Sequence, residues 1–228
     1  MGFQRARSEE QREIRRQAIL DTAAAMLDLM PVSEVTLNEL SRRAGLAKSN
    51  VLRYFESREA ILLELLDRAA RRWLSELPGQ LAAGVPPDGT PRERADQLAV
   101  VLARSVAPQR QLCDLLSAQA SVLEHNVSAD VVARYKRAMS DNQAALTELA
   151  LEYLPELGGD GAWKACAMSM VFMGALWSYT QHPASVLAAY EADPSLAVLR
   201  LDFAAALEEA LATLFTGSLA RAGALPGR

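Results

Sequence analysis

Apolar residues recur every three or four positions along most of this 228-residue chain, which is the period of an amphipathic helix. The segment from Ile61 through Leu65 and Ala69 to Trp73 shows the spacing clearly. Sustained alternation of apolar and polar residues, the mark of a half-buried strand, is missing from the sequence. Ala, Leu, Glu, Arg and Met dominate, and all favour helix. The pattern therefore predicts an all-α fold of about nine helices.

Capping residues, prolines and glycines mark the expected helix ends. The expected helices cover residues 9–30, 37–44, 48–54, 57–77, 92–106, 108–125, 129–153, 161–181 and 195–216, with a short piece near 184–191. Segment 78–91 carries four prolines and three glycines, so it is predicted to be a linker. Asp160 is expected to cap one helix, Asp193 with Pro194 to start the last one, and Gly217 to end it.

Residues 36–55, TLNELSRRAGLAKSNVLRYF, are the most informative segment. Thr36 followed three residues later by Glu39 is a capping box at the start of a two-turn helix. Gly45 can take the left-handed conformation of a sharp turn. In the second short helix Val51 and Phe55 are four residues apart, so they share one face and are expected to be buried. The segment predicts a helix-turn-helix.

The first turn of the second helix carries Lys48, Ser49 and Asn50, which point away from the apolar face. In a recognition helix such residues meet base edges in the major groove. Asn can pair with adenine, and Lys can reach guanine or a phosphate. Two unrelated helices joined by a glycine cap would share part of the pattern. The combination of cap, glycine turn, small polar residues and aromatic end favours DNA binding.

Composition and charge add a constraint on the surface. Half of the residues are hydrophobic, which is enough for a substantial core. The net charge is −4, but residues 1–72 carry 13 basic and 11 acidic side chains, a sum of +2, and the rest carries −6. A slightly basic head on an acidic body is compatible with one DNA-facing surface. Ordinary surface variation would explain the same distribution.

Other protein classes lack their signals in this sequence. The charged N-terminus does not resemble a signal peptide, and no uncharged apolar run approaches the roughly 18 residues of a membrane span. Cys113 and Cys166 form no CxxC pair, which indicates a reducing compartment. We therefore expect a cytoplasmic protein without membrane contact. The chain has no phosphate-binding loop, HExxH or GxSxG motif, so we expect no enzyme, no metal and no cofactor.

The helix-turn-helix resembles the N-terminal domain of the TetR family of transcriptional regulators. The likeness covers about residues 12–66 and rests on ILDTA at 19–23, TLNELSRRAGL at 36–46, KSNVLRYF at 48–55 and SREAIL at 57–62. The resemblance implies a DNA-binding domain over 1–56 and a ligand-binding and dimerisation domain over 57–228. It also implies a homodimer that binds palindromic operator DNA. A small-molecule effector would change the spacing between the two DNA-binding domains of this dimer. Most members repress, and some activate.

The resemblance also assigns roles in DNA contact. Thr36 would touch a phosphate, while Tyr54 and Arg58 would grip the backbone. Leu52 stands where the family usually has tyrosine, so it can offer only apolar contact. The full set of expected DNA-contact residues is Thr36, Asn38, Arg42, Lys48, Ser49, Asn50, Leu52, Arg53, Tyr54 and Arg58.

Two long helices near the C-terminus are apolar over a wide arc, so we expect them to form a four-helix bundle with a second copy. Two heads on one dimer can read a palindromic site. Packing within one subunit is the alternative. The expected interface residues are Trp163, Met170, Trp177, Leu199, Phe203, Leu207 and Leu211.

A pocket is expected between helices 57–77, 92–125 and 129–173, because such cavities are mostly apolar with a few polar groups. Methionines at helical spacing fill cores more often than they line pockets. The expected lining is Trp73, Cys113, Gln119, His125, Tyr135, Met139, Met168, Phe172 and Met173. The effector is unidentified, and three alternatives stay open: an activator, a regulator without a small-molecule effector, and an architectural DNA-binding protein.

Overall fold

A computed structural model describes residues 2–223 of the chain, with side chains for residues 9–223. Over residues 2–223 the chain forms helices and no strand, which confirms the all-α prediction. The α-helices are α1 (Gly2–Leu29), α2 (Leu37–Arg43), α3 (Lys48–Val51), α4 (Arg58–Gly84), α5 (Pro91–Val106), α6 (Arg110–Ala118), α7 (Ala129–Tyr153), α8 (Gly158–Thr180), α9 (Ala184–Ala192) and α10 (Phe203–Arg221). Shorter turns are the 3-10 segments Val32–Glu34, Pro155–Leu157 and Pro194–Leu199 and the π-helical turn Gln119–Leu123.

Helices α1 to α3, called the head below, close over a small packed core. Ile19, Leu20 and Met26 of α1 are fully buried. Val51 is also fully buried and Phe55 is nearly so, which confirms the predicted inward face of the second short helix. Helices as short as α2 and α3 are unstable alone, so this packing holds them in place.

Helix α4 is longer than predicted, because residues 78–84 continue it through Pro78 instead of forming a linker. Leu77 and Leu81 are 0% exposed, and each buried leucine stabilises by about 1.5–3 kcal/mol. The end of α4 also lies close to α5, since a Cβ on Gly84 would be 2.4 Å from Cγ2 of Val101. This packing offsets the cost of a proline inside a helix, about 3 kcal/mol. Only residues 85–90 connect α4 to α5.

The predicted helix 108–125 is interrupted. Helix α6 ends at Ala118 and continues as the π-helical turn Gln119–Leu123. Leu123, the last residue of this turn, is fully buried, whereas Val122 is 38% exposed. Single π turns within helices are frequent at functional sites, and this one lies beside the cavity described below.

Three predicted helix ends are wrong. Asp160 does not cap α8, which starts at Gly158; its carboxylate accepts a hydrogen bond from Lys164 at 2.6 Å. Asp193 caps the 3-10 segment before α10, and the cap of α10 itself is Asp202, which accepts the amide hydrogen of Ala205 at 2.9 Å. Gly217 lies inside α10, because buried residues on both sides of it hold the helix together.

Helix α10 packs along α5 and against α8 within the same chain. Every fourth residue of α10 points into this core, namely Phe203, Leu207, Leu211, Phe215 and Leu219. Judged by length and apolar composition alone α10 could cross a membrane, but the core helix of a globular protein passes the same test. Helices α4 to α10 are called the body below.

Candidate nucleic-acid interface and cavities

The turn between α2 and α3 has the geometry that the sequence predicts. Gly45 has φ +65°, a conformation that L side chains rarely adopt. The amide of Leu46 donates to the carbonyl of Ser41 at 3.0 Å, which closes the turn. Lys48 and Asn50 are exposed on the first turn of α3, opposite the buried Val51. The turn therefore presents the three polar residues 48–50 together on the surface of the head.

The predicted capping box at α2 is half formed. Thr36 Oγ1 accepts the amide hydrogen of Glu39 at 3.2 Å, as expected. The Glu39 carboxylate instead accepts from Arg42 Nη2 at 2.6 Å and from Arg43 Nε at 2.7 Å. Hydrogen bonds from Arg42 and then Arg43 lower the pKa of Glu39 to about 2. Glu39 thus stays ionised and neutralises part of the positive charge on this face.

Arg58 is held by the protein itself. Its Nη2 donates to the carbonyl of Val32 at 2.5 Å, and its side chain is only 20% exposed. The predicted grip of Arg58 on the DNA backbone is therefore at odds with the structure, which gives this side chain a role in fixing the turn after α1. Asn38, Arg42, Leu52 and Arg53 are exposed as expected, and Tyr54 is half-buried against the core.

A cavity of about 650 Å³ lies in the body between α4, the end of α6, α7 and α8; we call it the body cavity. Its wall is mostly apolar and includes Leu66, Ala70, Leu74, Leu146 and Met170. Four of the nine expected lining residues are in this wall: Trp73, Gln119, Tyr135 and Met139. Its volume lies in the range of about 300–1,000 Å³ that is usual for small-molecule sites.

The other five expected lining residues are not part of this wall. Cys113 and Met173 are fully buried in the core, and His125 is exposed at the end of the π turn. Met168 and Phe172 also lie outside the wall, since α8 turns residues 163, 167, 170, 171 and 174 toward the cavity instead. Burial raises the pKa of the Cys113 thiol to about 12, so this group is a protonated apolar filler.

The wall of the body cavity also carries polar groups. Asn142 Nδ2 donates to Asp67 Oδ1 at 2.9 Å, and Gln119 Nε2 donates to Glu124 Oε1 at 2.9 Å. Burial, and then the carboxylates of Glu124 and Asp67, raise the pKa of Tyr135, so its phenol is a neutral hydrogen-bond donor at neutral pH. The cavity therefore combines an apolar wall with a few donors and acceptors.

Sequence reasoning missed three residues that shape this cavity: Asp67, Asn142 and Gly174. Gly174 had a readable signal, since a glycine inside an apolar helix indicates a close approach. A Cβ at Gly174 would lie 3.1 Å from the backbone carbonyl of Leu116, so α8 and α6 touch there. Asp67 and Asn142 had no such signal, because a polar residue on the flank of an amphipathic helix is usually just solvated.

A second cavity of about 670 Å³ lies where head and body meet; we call it the junction cavity. Tyr54 and Phe55, which follow α3, form one side of it. The other sides come from α1, α4 and α7 and carry many charged groups, among them Arg16, Glu64 and Arg134. Glu56 joins head and body here, because its Oε1 accepts the amide hydrogen of Ser128 at 2.5 Å, which lowers the pKa of Glu56.

Helix α6 makes a second connection between body and head. Asp114 Oδ2 accepts the amide hydrogen of Val32 at 2.7 Å. Gln111 Nε2 donates to the carbonyl of Ala24 at 3.1 Å and to Asp28 Oδ1 at 2.5 Å. The far end of α6 lines the body cavity through Leu116 and Ser117. One short helix therefore touches both the head and the cavity.

The expected dimer residues divide into two groups. Leu207 and Leu211 are 0% exposed, and Phe203 and Trp177 are almost fully buried, with their rings 5.1 Å apart. Within the same chain α10 packs on α5 and α8, and Trp177 of α8 packs on Phe203 of α10, so these four side chains have little surface left for a partner and their contact with one stays a prediction. Met170 is half-buried in the body cavity wall. Only Trp163 and Leu199 remain open, at 53% and 52% exposure.

Helix α8 nevertheless has an apolar outer face, which we call the outer stripe. It consists of Trp163, Ala167, Val171, Ala175 and Tyr179, each four residues apart. Trp163, Val171 and Tyr179 are all more than half exposed. Exposed apolar patches of this kind mark interaction sites. Four of the five residues, all except Tyr179, also line the body cavity, so the outer stripe borders that cavity.

Two family models match the chain. The model described as bacterial regulatory proteins, tetR family, matches residues 19–65. The model described as tetracyclin repressor-like, C-terminal domain, matches residues 67–222. Together they cover the head from residue 19 onward and nearly all of the body.

Curated relatives match a short part of the chain. The HTH-type transcriptional regulator EthR of Mycobacterium tuberculosis is 38% identical over 55 residues, which is 24% of this chain and 26% of the relative. EthR of Mycolicibacterium smegmatis is 36% identical over 58 residues, or 25% and 27%. The match thus spans about a quarter of the length of these relatives.

Solved structures share the whole fold. A TetR transcriptional regulator from Rhodococcus sp. RHA1 gives a TM-score of 0.54 at 12% identity, covering 92% of this chain and 97% of its own. FadR of Thermus thermophilus, a TetR family repressor solved with lauroyl-CoA, gives 0.53 at 21% identity over 89% and 94%. FadR of Bacillus subtilis, solved with stearoyl-CoA, gives 0.51 at 12% identity over 88% and 98%. At these identities the likeness shows the fold alone.

Proposed function

The chain belongs to the TetR family of bacterial transcriptional regulators, and from this premise we propose that it is a repressor released from its operator by a small molecule. In this proposal residues 1–56 bind DNA, and residues 57–228 bind the effector and a second copy. The protein would act at chromosomal DNA in the cytoplasm. The observation that carries the proposal is that one short helix, α6, contacts the head at one end and lines the body cavity at the other.

For the DNA contact we propose Lys48, Ser49 and Asn50 as the residues that meet base edges. Their exposure on the first turn of α3 supports this, as does the fixed turn at Gly45. Thr36, Asn38, Arg42, Leu52, Arg53 and Tyr54 would surround them. Arg58 is left out of this set, because its guanidinium is bound to the carbonyl of Val32.

For the dimer we propose the outer stripe of α8 as the contact with a second copy. The exposed Leu199 in the turn before α10 can extend this contact. A homodimer places two heads on the two halves of a palindromic site, since operator symmetry mirrors protein symmetry.

For the effector we propose a molecule with an extended apolar chain. The body cavity is large, and its wall is mainly Leu, Ala, Met and Trp side chains with a few polar groups such as Asp67 and Asn142. An apolar chain would bury most of its surface there. The two FadR structures with the same fold hold lauroyl-CoA and stearoyl-CoA, which makes long acyl compounds the first ligands to test.

Contacts within this chain suggest how occupancy reaches the head. A ligand in the body cavity would press on Leu116 and Ser117 of α6, and Asp114 in the middle of the same helix holds the turn after α1. Movement of α6 would therefore shift the head. A ligand changes the DNA affinity only if it binds the two arrangements of the head unequally.

The test begins with selection of operator sequences from random duplexes by the full-length protein. Palindromic products are expected. Fluorescence anisotropy then follows the affinity for a selected duplex as lauroyl-CoA or dodecanoic acid is added, and at least a tenfold loss is expected. Ala70→Phe, which fills part of the body cavity from α4 and lies outside the outer stripe, should remove this response. Ala145→Phe, on the exposed face of α7, is the matched control and should keep it.

Three results would contradict the proposal. An affinity that these ligands leave unchanged would favour a regulator with another signal or none. An affinity that they increase would show that the ligand promotes DNA binding instead of releasing it. Binding to random duplexes with no preference would instead indicate an architectural DNA-binding protein.

A further inference from the structure

The two cavities adjoin each other. Asp67 and Tyr135 line both of them. Asp67 Oδ1 accepts a hydrogen bond from Asn142, a residue of the body cavity, at 2.9 Å. Its Oδ2 pairs at 2.6 Å with Arg71, a residue of the junction cavity. One carboxylate and one phenol therefore separate an apolar space from a charged one.

The charged space has more cations than anions. Four arginines line the junction cavity, Arg16, Arg68, Arg71 and Arg134, against three carboxylates, Glu56, Glu64 and Asp67. Glu64 accepts from both Arg16 and Arg68, and Asp67 pairs with Arg71. The carboxylates are thus already engaged by guanidiniums or, for Glu56, by a backbone amide.

Arg134 is the one arginine of this cavity for which the described part of the chain shows no ion pair within 4.0 Å. Its charge acts on Glu56 at longer range and contributes to the lowered pKa of that carboxyl. Arg134 is exposed on α7 at the edge of the junction cavity, so it could meet an anionic group without prior loss of an ion pair. A guanidinium binds carboxylate and phosphate oxygens with two parallel hydrogen bonds, which favours such a partner.

We propose that the junction cavity binds the anionic end, a carboxylate or a phosphate, of an amphipathic effector whose apolar chain occupies the body cavity. The inference rests on the proposed function, because it takes the body cavity as the effector site. Arg134 supplies the charge contact. Tyr135, at the boundary, donates its phenolic hydrogen to the same anionic group.

This arrangement places the anionic end against the head. Tyr54 and Phe55, the residues that follow the recognition helix, line the junction cavity. Arg16 bridges the two parts, since its guanidinium lies 4.9 Å from the centre of the Phe55 ring and pairs with Glu64. An anion in this space competes with Glu64 for Arg16 and so acts on the end of the recognition helix directly. The charged end of the effector, more than its chain, then determines release from DNA.

Calorimetric titration of the full-length protein tests the inference with three probes that have the same kind of alkyl chain and differ in their polar end. The probes are dodecanoate, dodecyl phosphate and 1-dodecanol, each used below the concentration at which it aggregates. The wild type should bind the two anions at least tenfold more tightly than the alcohol, as expected for a hydrogen bond to a charged group. Arg134→Gln should lose about tenfold in affinity for the anions and none for 1-dodecanol. Arg137→Gln, three residues further along α7 and outside both cavities, should change neither.

The two anionic probes separate the sources of the charge. A larger loss with dodecyl phosphate than with dodecanoate would identify a phosphate-bearing effector, and the reverse would identify a free acid. Both results support the inference.

Equal affinity of the wild type for all three probes would overturn the inference, as would an equal loss for the alcohol in Arg134→Gln. Either result would leave the proposed repressor function intact, because the protein would still bind the apolar part of the probes. If none of the probes binds, both the inference and the proposed effector class are overturned.

Discussion

The head and the body use their apolar residues in opposite ways. In the head, Ile19, Leu20 and Val51 fill a small core, and the polar residues that we propose for DNA contact lie on its outside. In the body, a cavity of about 650 Å³ interrupts the core, and the residues that we propose for effector binding line it. Close packing stabilises the head, whereas the body lacks the packing contacts that would fill its cavity and is less stabilised there. Changes to surface residues of the head should therefore alter function alone, and changes inside the body should alter function and stability together.

The largest effect is expected from truncating one leucine in each region. Leu40→Ala removes a side chain that is 1% exposed in the head core and should lower the free energy of unfolding by about 2–5 kcal/mol. Leu74→Ala removes a half-buried side chain at the wall of the body cavity and should cost less than half as much, because fewer contacts are lost. Equilibrium urea unfolding at one protein concentration measures both. Equal losses would remove the packing contrast between the two regions.

Much of the structure of the head could be predicted from the sequence, and much less of the structure of the body. In the head, local signals decide the structure: a capping threonine, a glycine turn and two anchors four residues apart all lie within residues 36–55. The fold class and the helix-turn-helix followed directly. Such signals act over a few residues and do not depend on distant contacts.

In the body the deciding contacts lie far apart along the chain. Helix α4 runs through Pro78 because its end packs on α5, and the predicted linker carried no trace of that contact. The leucines of α10 face α5 and α8 of their own chain, although the same stripe could have faced a partner. A wide apolar arc on a helix indicates only that another part of a protein covers it. Tertiary packing decides which helix covers it, and tertiary packing also decides which residues line the cavity.

The next effect concerns function without stability, as expected for the surface of the head. Lys48→Ala should weaken operator binding by about 1–3 kcal/mol if the lysine meets a base. If it meets a phosphate, the salt dependence should instead become shallower by about one unit of slope. Anisotropy titrations over a range of salt concentrations measure both, and the melting temperature should stay unchanged. Tyr54→Phe is the companion variant, since Tyr54 is half-buried and only its hydroxyl can be removed safely.

The control for this pair is Arg137→Ala, which removes one positive charge from an exposed site on α7. It should leave both the affinity and the salt slope unchanged. If Lys48→Ala behaves like this control, residues 48–50 are not the DNA-reading group.

A smaller effect of opposite sign is expected at Glu39. Glu39→Gln removes the carboxylate that Arg42 and Arg43 share, so the net charge of the head becomes more positive by one unit. The variant should therefore bind DNA more tightly, with a steeper salt dependence. Glu34→Gln removes one negative charge from the head at an exposed position and serves as the matched control. Equal gains in the two variants would show that the ion pairs of Glu39 do not matter.

The pH dependence of the Glu39 variant follows from the same ion pairs. The pKa of Glu39 is lowered to about 2, so the stabilisation that it provides is present above its ordinary pKa and is lost only as the pH falls toward 2. The ratio of affinities between Glu39→Gln and the wild type should therefore be constant from about pH 8 down to about pH 4. A ratio that falls toward 1 between about pH 5 and pH 4 would mean that the carboxylate has its ordinary pKa.

The smallest effect concerns the cysteines, all of which lie in the body. Burial raises the pKa of both Cys113 and Cys166 to about 12, so at neutral pH neither forms the thiolate that reacts with alkylating reagents. Iodoacetamide should leave the folded protein unmodified and its DNA binding unchanged, and mass spectrometry should find both thiols modified after unfolding. Selective reaction of Cys113 in the folded state would show that the body opens near the end of α5, where Cys113 Sγ lies 3.6 Å from the carbonyl of Val106. If Cys113 reacts in the folded state and reacts more slowly when dodecanoate is bound, ligand binding closes this part of the body.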